Sequence, residues 1–376
     1  MANTLTNLLP DLYAAMDKVS RELVGFIPAV GRNSGAERAS VGEKVRVPVT
    51  GEANVGDIAP SMSLPEPTDQ VVDNVEIEIT KARAAEFGFV GEEQLGLDNG
   101  PGYLSVQAGM IAQAMRKLVN EVEQDVANTY IGASRAFGTA GTIPFQTGLE
   151  DTAQVRKILA DNGAPLMDLN LVIDTTAGAQ MRTLTNLTKV NEANDATLLR
   201  QGVLLDVHGF AIRESAKVVT AVSGNGTGYT TSAAPEGSTI FDLADGSGEI
   251  KAGDVITFAG DTNKYIVATG LTAPGQITIA KPGLLQDVVQ GTAVTVDNTS
   301  TRNMAFDREA IQLVTRAPAL PKEGDIALDR TVITDPNSGL AFEVSIYGGY
   351  RKVRYELALA WGQKVIKPEH VGILLG

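Results

Sequence analysis

The stretch from Gly102 to Ser134 constrains the fold more than any other part of this 376-residue chain. Leu104, Ala108, Ile111, Met115, Leu118, Val122 and Val126 recur at helical steps, which lines them along one face of an α-helix. Arg116, Lys117, Glu121, Glu123 and Asp125 fall largely off that stripe. Pro101 and Gly102 punctuate the start, and Gly132 supplies a stop. A helix of this extent is about 45 Å long, more than an ordinary compact domain requires. It is either a backbone crossing the whole subunit or a coiled-coil arm, and the stripe alone does not choose.

Two features precede it. Leu5, Leu8, Leu9, Leu12, Met16, Val19 and Leu23 keep helical spacing, so a short amphipathic helix is expected at the N-terminus, ending near Gly25 and Pro28. Its apolar face must dock either on its own subunit or on a partner. Next, Val45, Val47 and Val49 alternate with Arg46 and Pro48, while Val75, Ile77 and Ile79 alternate with Glu76, Glu78 and Thr80. Both runs read as strands with one apolar face, and Pro48 confines the first to an edge. Gly51 to Asn74, with Pro60, Pro65 and Pro67, is too long for a structureless connection inside a compact domain. We expect a two-stranded arm projecting from its own core. Because an isolated hairpin is only marginally stable in water, the arm should lie on a neighbouring copy.

Downstream, the pattern predicts a helix over Thr152 to Asn162, a buried strand at Asn170 to Asp174 and a helix through Gln180 and Leu184. A strand–turn–strand follows around His208 and Gly209, and the whole reads as a small α/β unit. From Val218 to Thr299 the helical period vanishes. Asp254–Phe258, Tyr265–Thr269, Gln276–Ala280 and Ala293–Asp297 are short strands between Gly and Pro turns, as in a small all-β barrel or sandwich. Ser223 to Gly228 reads as a flexible loop. The α/β pattern resumes at Asn303, so this module is inserted in another domain. Leu340–Tyr347 and Val353–Leu359 are strand-like, and Val371–Leu375 is a last apolar segment.

The chemistry-bearing residues are sparse. The absence of cysteine excludes disulfides, thiolate zinc sites and cysteine nucleophiles. The two histidines, His208 and His370, have no ligand partners at helical spacing. No nucleophile elbow or phosphate-binding glycine loop occurs, and Glu92 and Glu93 are adjacent, which suits surface charge rather than paired acid–base work. Asp242, Asp245 and Asp254 surround glycines without a calcium-loop spacing. No catalytic residue, cofactor or metal is expected. A formal net charge of -14 argues against gripping nucleic acid, and Arg351, Lys352 and Arg354 read as a solvated strand face. Neither a secretory signal nor a membrane span is expected, which points to a soluble protein made in the cytoplasm.

Four stretches stand out beside this layout: Ile250 to Gly260, Thr301 to Val314, Arg354 to Gly362 with Lys367 to Ile373, and Arg116 to Glu123. In layout the chain resembles the major capsid (coat) proteins of tailed bacteriophages with the Hong Kong 97 type fold, and in those stretches it resembles more narrowly the short-tailed phage branch with an inserted β-barrel domain. The insert is shorter than in the best-known members of that branch, and Gly224 to Glu236 is a candidate for its intersubunit loop. The resemblance implies an α+β fold with an N-terminal arm at 1–42, an extended β-hairpin loop at 43–82 and a peripheral domain at 83–150 with its spine helix at 102–134. It further implies an axial α/β domain at 151–217, an inserted barrel at 218–299, an axial return at 300–326, and peripheral strands with a C-terminal strand at 327–376. The implied function is assembly into hexamers and pentamers of an icosahedral shell in the virion, built in the bacterial host cytoplasm on a scaffolding protein. Such a shell has a portal protein at one vertex and encloses double-stranded DNA, with no membrane. Interface candidates are Leu5, Leu9 and Leu12 in the arm and Val45, Val47, Ile58, Val75 and Ile77 in the hairpin. A tail, surface-layer or adhesin-type subunit is the alternative, against which the long central helix and the missing signal count.

Overall fold

The computed structural model describes residues 24–50, 72–98, 103–188, 204, 206–335 and 338–376. In chain order these form α1 (Phe26–Ala29), β1 (Gly31–Ala39), β2 (Lys44–Thr50), β3 (Val72–Glu78), β4 (Lys81–Val90), α2 (Gly91–Asp98), α3 (Tyr103–Ala127), β5 (Arg135–Phe137), α4 (Glu150–Asp161), β6 (Leu169–Ile173) and α5 (Thr175–Arg182). Then come β7 (Phe210–Glu214), β8 (Thr220–Ala221), β9 (Thr230–Thr231), β10 (Ile240–Ala244), β11 (Val255–Phe258), β12 (Lys264–Thr269), β13 (Gly275–Ile279) and β14 (Thr292–Val296). The chain closes with β15 (Ser300–Asp307), β16 (Ile311–Pro318), β17 (Ala327–Thr334), β18 (Ala341–Gly349), β19 (Lys352–Val365) and β20 (Val371–Leu375).

β19 organises the first sheet. Tyr355, Leu357, Leu359 and Trp361 point to one face at the strand period of two, and all four are buried. β4 pairs along Lys352–Trp361, β18 along Lys352–Ala358 and β16 along Ala360–Val365, while β17 joins β18 and β1 joins β16 in parallel. α3 lies on this sheet, packed against β4, β19 and α1. Ile111, Met115, Leu118, Val122 and Val126 are buried there. The stripe is thus covered by its own chain and does not form a coiled-coil seam. The α-helix is shorter than the sequence pattern: it ends at Ala127 and tightens into a 3-10 turn over Asn128–Gly132. Poor helix formers lie there, and Thr129 Oγ1 donates to the Val126 carbonyl at 2.7 Å, which gives that end group a partner.

Two residues placed off the stripe turn out to be internal. Glu123 is 1% exposed, and its carboxylate accepts from the backbone N–H groups of Gly25 (2.7 Å), Phe26 (2.8 Å) and Ile27 (3.0 Å) and from Ser215 Oγ (2.7 Å). It therefore holds the free donors at the start of α1. Gly25 is required by close approach, since a Cβ would sit 2.7 Å from the Glu214 carbonyl oxygen. Asp125 accepts from Trp361 Nε1 at 2.9 Å and Lys81 Nζ at 2.8 Å, tying α3 to β19 and β4.

The second sheet carries the α/β pattern. β6 and β7 run parallel; β15 pairs antiparallel with β6 and β20, and β20 runs parallel to β5. Leu159, Leu171, Ile173, Phe210 and Leu374 share its core, and Asp174 caps α5 as N-cap. Six further strands close on themselves in the order β11–β14–β9–β10–β13–β12 and back to β11, all antiparallel. Phe258 stacks edge-on to Phe241 (5.5 Å) and Tyr265 (5.6 Å) inside that ring. The ring is attached through β12 to β5 and through β8 to β15. Arg302, 1% exposed, lies over the Tyr130 ring at the same junction.

Several expectations shift. β1, inside the expected arm at 1–42, is a strand of the first sheet. β16, inside the expected return at 300–326, belongs with β1 and β19, and β20, the expected C-terminal strand, sits between β15 and β5. Backbone pairing, not local composition, decides these memberships. The loop expected to be flexible at 223–228 is tied down: Gly224 N donates to Asp254, Gly226 N to the Glu249 carbonyl, and Thr227 bridges Ser247.

Glu123→Ala removes the acceptor of four hydrogen bonds and leaves buried donors unpaired. It should lower the unfolding free energy by roughly 3 kcal/mol or more, read as an earlier urea midpoint. An unchanged midpoint would show that this carboxylate does not hold the N-terminal segment.

Candidate assembly surfaces

The hairpin is built by strand alternation. β2 and β3 form a two-stranded antiparallel sheet in which Val45 opposes Ile77 and Val47 opposes Val75. On the other face Glu76 receives Lys44 at 2.9 Å and Arg46 at 3.3 Å. The hydrogen bond and charge of Lys44 hold the Glu76 carboxyl below its usual range. At its base the apolar face turns inward. Ile77 and Ile79 are fully buried with Ala39, Val314 and Ala360, and Val45 and Val47 pack half-buried on the same cluster.

This changes the interface candidates. Ile77 is buried within its own chain, so it offers no surface to a neighbour, and Val45 and Val47 are partly used the same way. Val75 is half-buried. Leu5, Leu9, Leu12 and Ile58 lie outside the described residues. The described residues that border those candidates are Val24, next to the Glu123 anchor, and Thr50 and Val72 at the open ends of β2 and β3.

The sequence pattern does not single out a further apolar surface that the fold presents. Ile326, Leu328 and Tyr350 are 79%, 71% and 92% exposed at one end of the first sheet, where Leu328 lies beside Gly348 in the strand leading to the β18–β19 turn. Among the described residues β17 pairs only with β18, so its other edge is free. The available signal is an aromatic, Tyr350, in a glycine-rich turn between two strand patterns.

The candidate chemical residues are scattered. His208 sits in its turn with φ 51°, its Nδ1 2.6 Å from Thr152 Oγ1. His370 is buried before β20, and burial lowers its pKa. Glu93 accepts from Val90 N at 2.9 Å as a cap to α2, and Asp254 holds the turn at Lys251. Among the described residues no group of His, Cys, Asp or Glu is arranged to hold a metal ion, and no helix is long and apolar enough to cross a membrane.

No protein-family model matches the chain, and no curated protein matches it. Among solved structures it is similar to the capsid of the cyanophage P-SCSP1u (14% identity, 92% of this chain and 86% of that one, TM-score 0.49). It is also similar to the mature capsid of bacteriophage PhiM1 (11% identity, 93% and 86%, TM-score 0.47). A third is a virus-like particle from Pyrococcus furiosus (11% identity, 97% and 98%, TM-score 0.43).

A pair of variants separates internal from presented apolar residues. Ile77→Asp should cost roughly 3 kcal/mol or more of stability through a buried charge, whereas Leu328→Ser with Tyr350→Ser should leave the urea midpoint within about 1 kcal/mol of wild type. Equal effects would contradict the assignment of Ile77 to the core and of Leu328 and Tyr350 to the surface.

Proposed function

We propose that the chain is the major capsid protein of a tailed double-stranded DNA bacteriophage. In this reading it has a Hong Kong 97 type fold and assembles with itself into the hexamers and pentamers of an icosahedral shell. The observation that carries the reading is the β2/β3 hairpin. It is a sheet of two strands that, among the described residues, pairs with no third strand; it is held to its own chain through Val45, Val47, Ile77 and Ile79 and by Lys364 Nζ donating to the Glu76 carbonyl at 3.1 Å, and it borders the segment 51–71. Such an element is stable when it lies on another surface, and identical neighbours in a closed shell supply one.

Other features agree. α3 is about 37 Å long, enough for a spine crossing a flat subunit, and buried carboxylates fix its position against two sheets. The closed six-stranded ring between β8 and β15 supports the assignment of 218–299 as the inserted domain. The net charge of -14 suits a wall that does not adhere to packaged DNA, and weak contacts repeated by symmetry add up to a stable shell. Scaffolding and portal proteins are the partners this reading implies, assembly occurs in the host cytoplasm, and the product is the virion. It requires no catalytic group, metal or cofactor.

Purified protein, followed by sedimentation velocity and negative-stain microscopy over a range of salt and concentration, tests the proposal. Five- and six-membered rings or closed shells are expected. A chain that stays monomeric under all conditions, or that forms only open fibres, would overturn it.

A further inference from the structure

A pocket of about 420 Å³ opens where the start of β1, the turn between β15 and β16, and the turn between β17 and β18 meet. Two arginines line it, Arg32 and Arg308, together with Ser34, Asp168, Glu309 and Gly339. The position of Arg32 is built in. Its Nη1 donates to the Ser338 carbonyl, in a turn fixed by Asp335, whose carboxylate accepts from Ser338 N at 3.1 Å and from Ser338 Oγ. Gly339 has φ +67°, and a Cβ there would collide with Arg32 Nη1. The left-handed backbone there favours glycine.

Neither arginine has a counter-ion among the described residues. Of the two acids lining the pocket, Glu309 accepts from Gln312 Nε2 at 2.8 Å, and among the described residues neither it nor Asp168 forms an ion pair with Arg32 or Arg308. Burial, and then the neighbouring charge of Arg308, lowers the pKa of Arg32, as expected of two guanidinium groups held close together. Arg32, held through its Nη1, and Arg308 beside it place two guanidinium groups in one concavity, and such a pair suits a planar oxyanion because the guanidinium fork matches a carboxylate in two-point contact.

We propose that this pocket receives a carboxylate presented by an acidic side chain of a second copy of the chain. The identity of the donor rests on the shell reading. Asp168 and Glu309 in the pocket lining disfavour a dianion or a polyanion such as a nucleic-acid backbone, and a singly charged carboxylate meets the least repulsion. Each copy has 45 acidic against 31 basic residues, so neighbours offer carboxylates in excess. Arg32 and Arg308 are cations that the described residues of their own chain leave without an ion pair.

The test uses Arg308→Gln, with Lys322→Gln as a charge-matched control at an exposed loop position. Both should melt like wild type. At low salt, Arg308→Gln should raise the protein concentration needed for assembly by about tenfold, and the control should not. Added acetate should compete with assembly of wild type and of the control. Assembly of Arg308→Gln indistinguishable from wild type overturns the proposal. If wild type never assembles, the shell reading fails, and the pocket is then judged separately by acetate titration of the arginine Nε–Hε resonances of the unassembled chain. A saturable shift lost in Arg308→Gln supports a carboxylate site; no shift overturns it.

Discussion

One buried carboxylate joins three parts of this protein. Glu123 lies on α3, yet its four donors come from the start of α1 and from Ser215, the residue after β7. An ionised carboxylate removed from water is costly unless charge-assisted hydrogen bonds replace its hydration, and here both oxygens are served. Because Ser215 N in turn donates to the Ile173 carbonyl, the node fastens the N-terminal segment, the long helix and the second sheet at one point. Asp125, two residues further, projects from a different side of the helix and binds Trp361 and Lys81 of the first sheet. The helix is therefore fixed to both sheets by polar contacts, with the apolar stripe of Ile111, Met115, Leu118, Val122 and Val126 buried between them.

That fixation bears on function. Under the proposed shell function, a subunit that contacts many neighbours needs a rigid body from which those contacts are directed. The Glu123 node sets where the chain enters at Val24, and the cluster of Ile77, Ile79, Ala39, Val314 and Ala360 sets the base of the hairpin. The exposed Ile326, Leu328 and Tyr350, and the pocket at Arg32 and Arg308, lie on the same body.

The periodic elements were legible in the sequence. The stripe of α3, the alternation in β2 and β3, and four of the six ring strands, β11 to β14, follow from apolar spacing, which burial on one face imposes directly; β9 and β10, which complete the ring, were not read. β1 was not legible. Of its residues, Arg32, Asn33, Ser34, Glu37 and Arg38 stay at least partly exposed, and its pairing with β16 is helped by Arg316 donating to the Asn33 carbonyl at 2.7 Å. Glu123 and Asp125 escape the pattern for a related reason: a charge on a helix reads as solvent-facing until its partners are known, and those partners lie as many as 236 residues away. Arg32 and Arg308, 276 positions apart by subtraction, meet only through the fold. Non-local pairing and polar anchoring leave no periodic trace.

The role assigned to Glu123 is tested most directly by native-state hydrogen exchange at the amides of Gly25, Phe26 and Ile27. If the carboxylate holds the N-terminal segment to the spine, these three amides are protected to the level of the α3 core and lose that protection in Glu123→Gln, while β19 amides keep theirs. Exchange of the three amides at the rate of a fraying terminus in the wild-type chain would contradict the account.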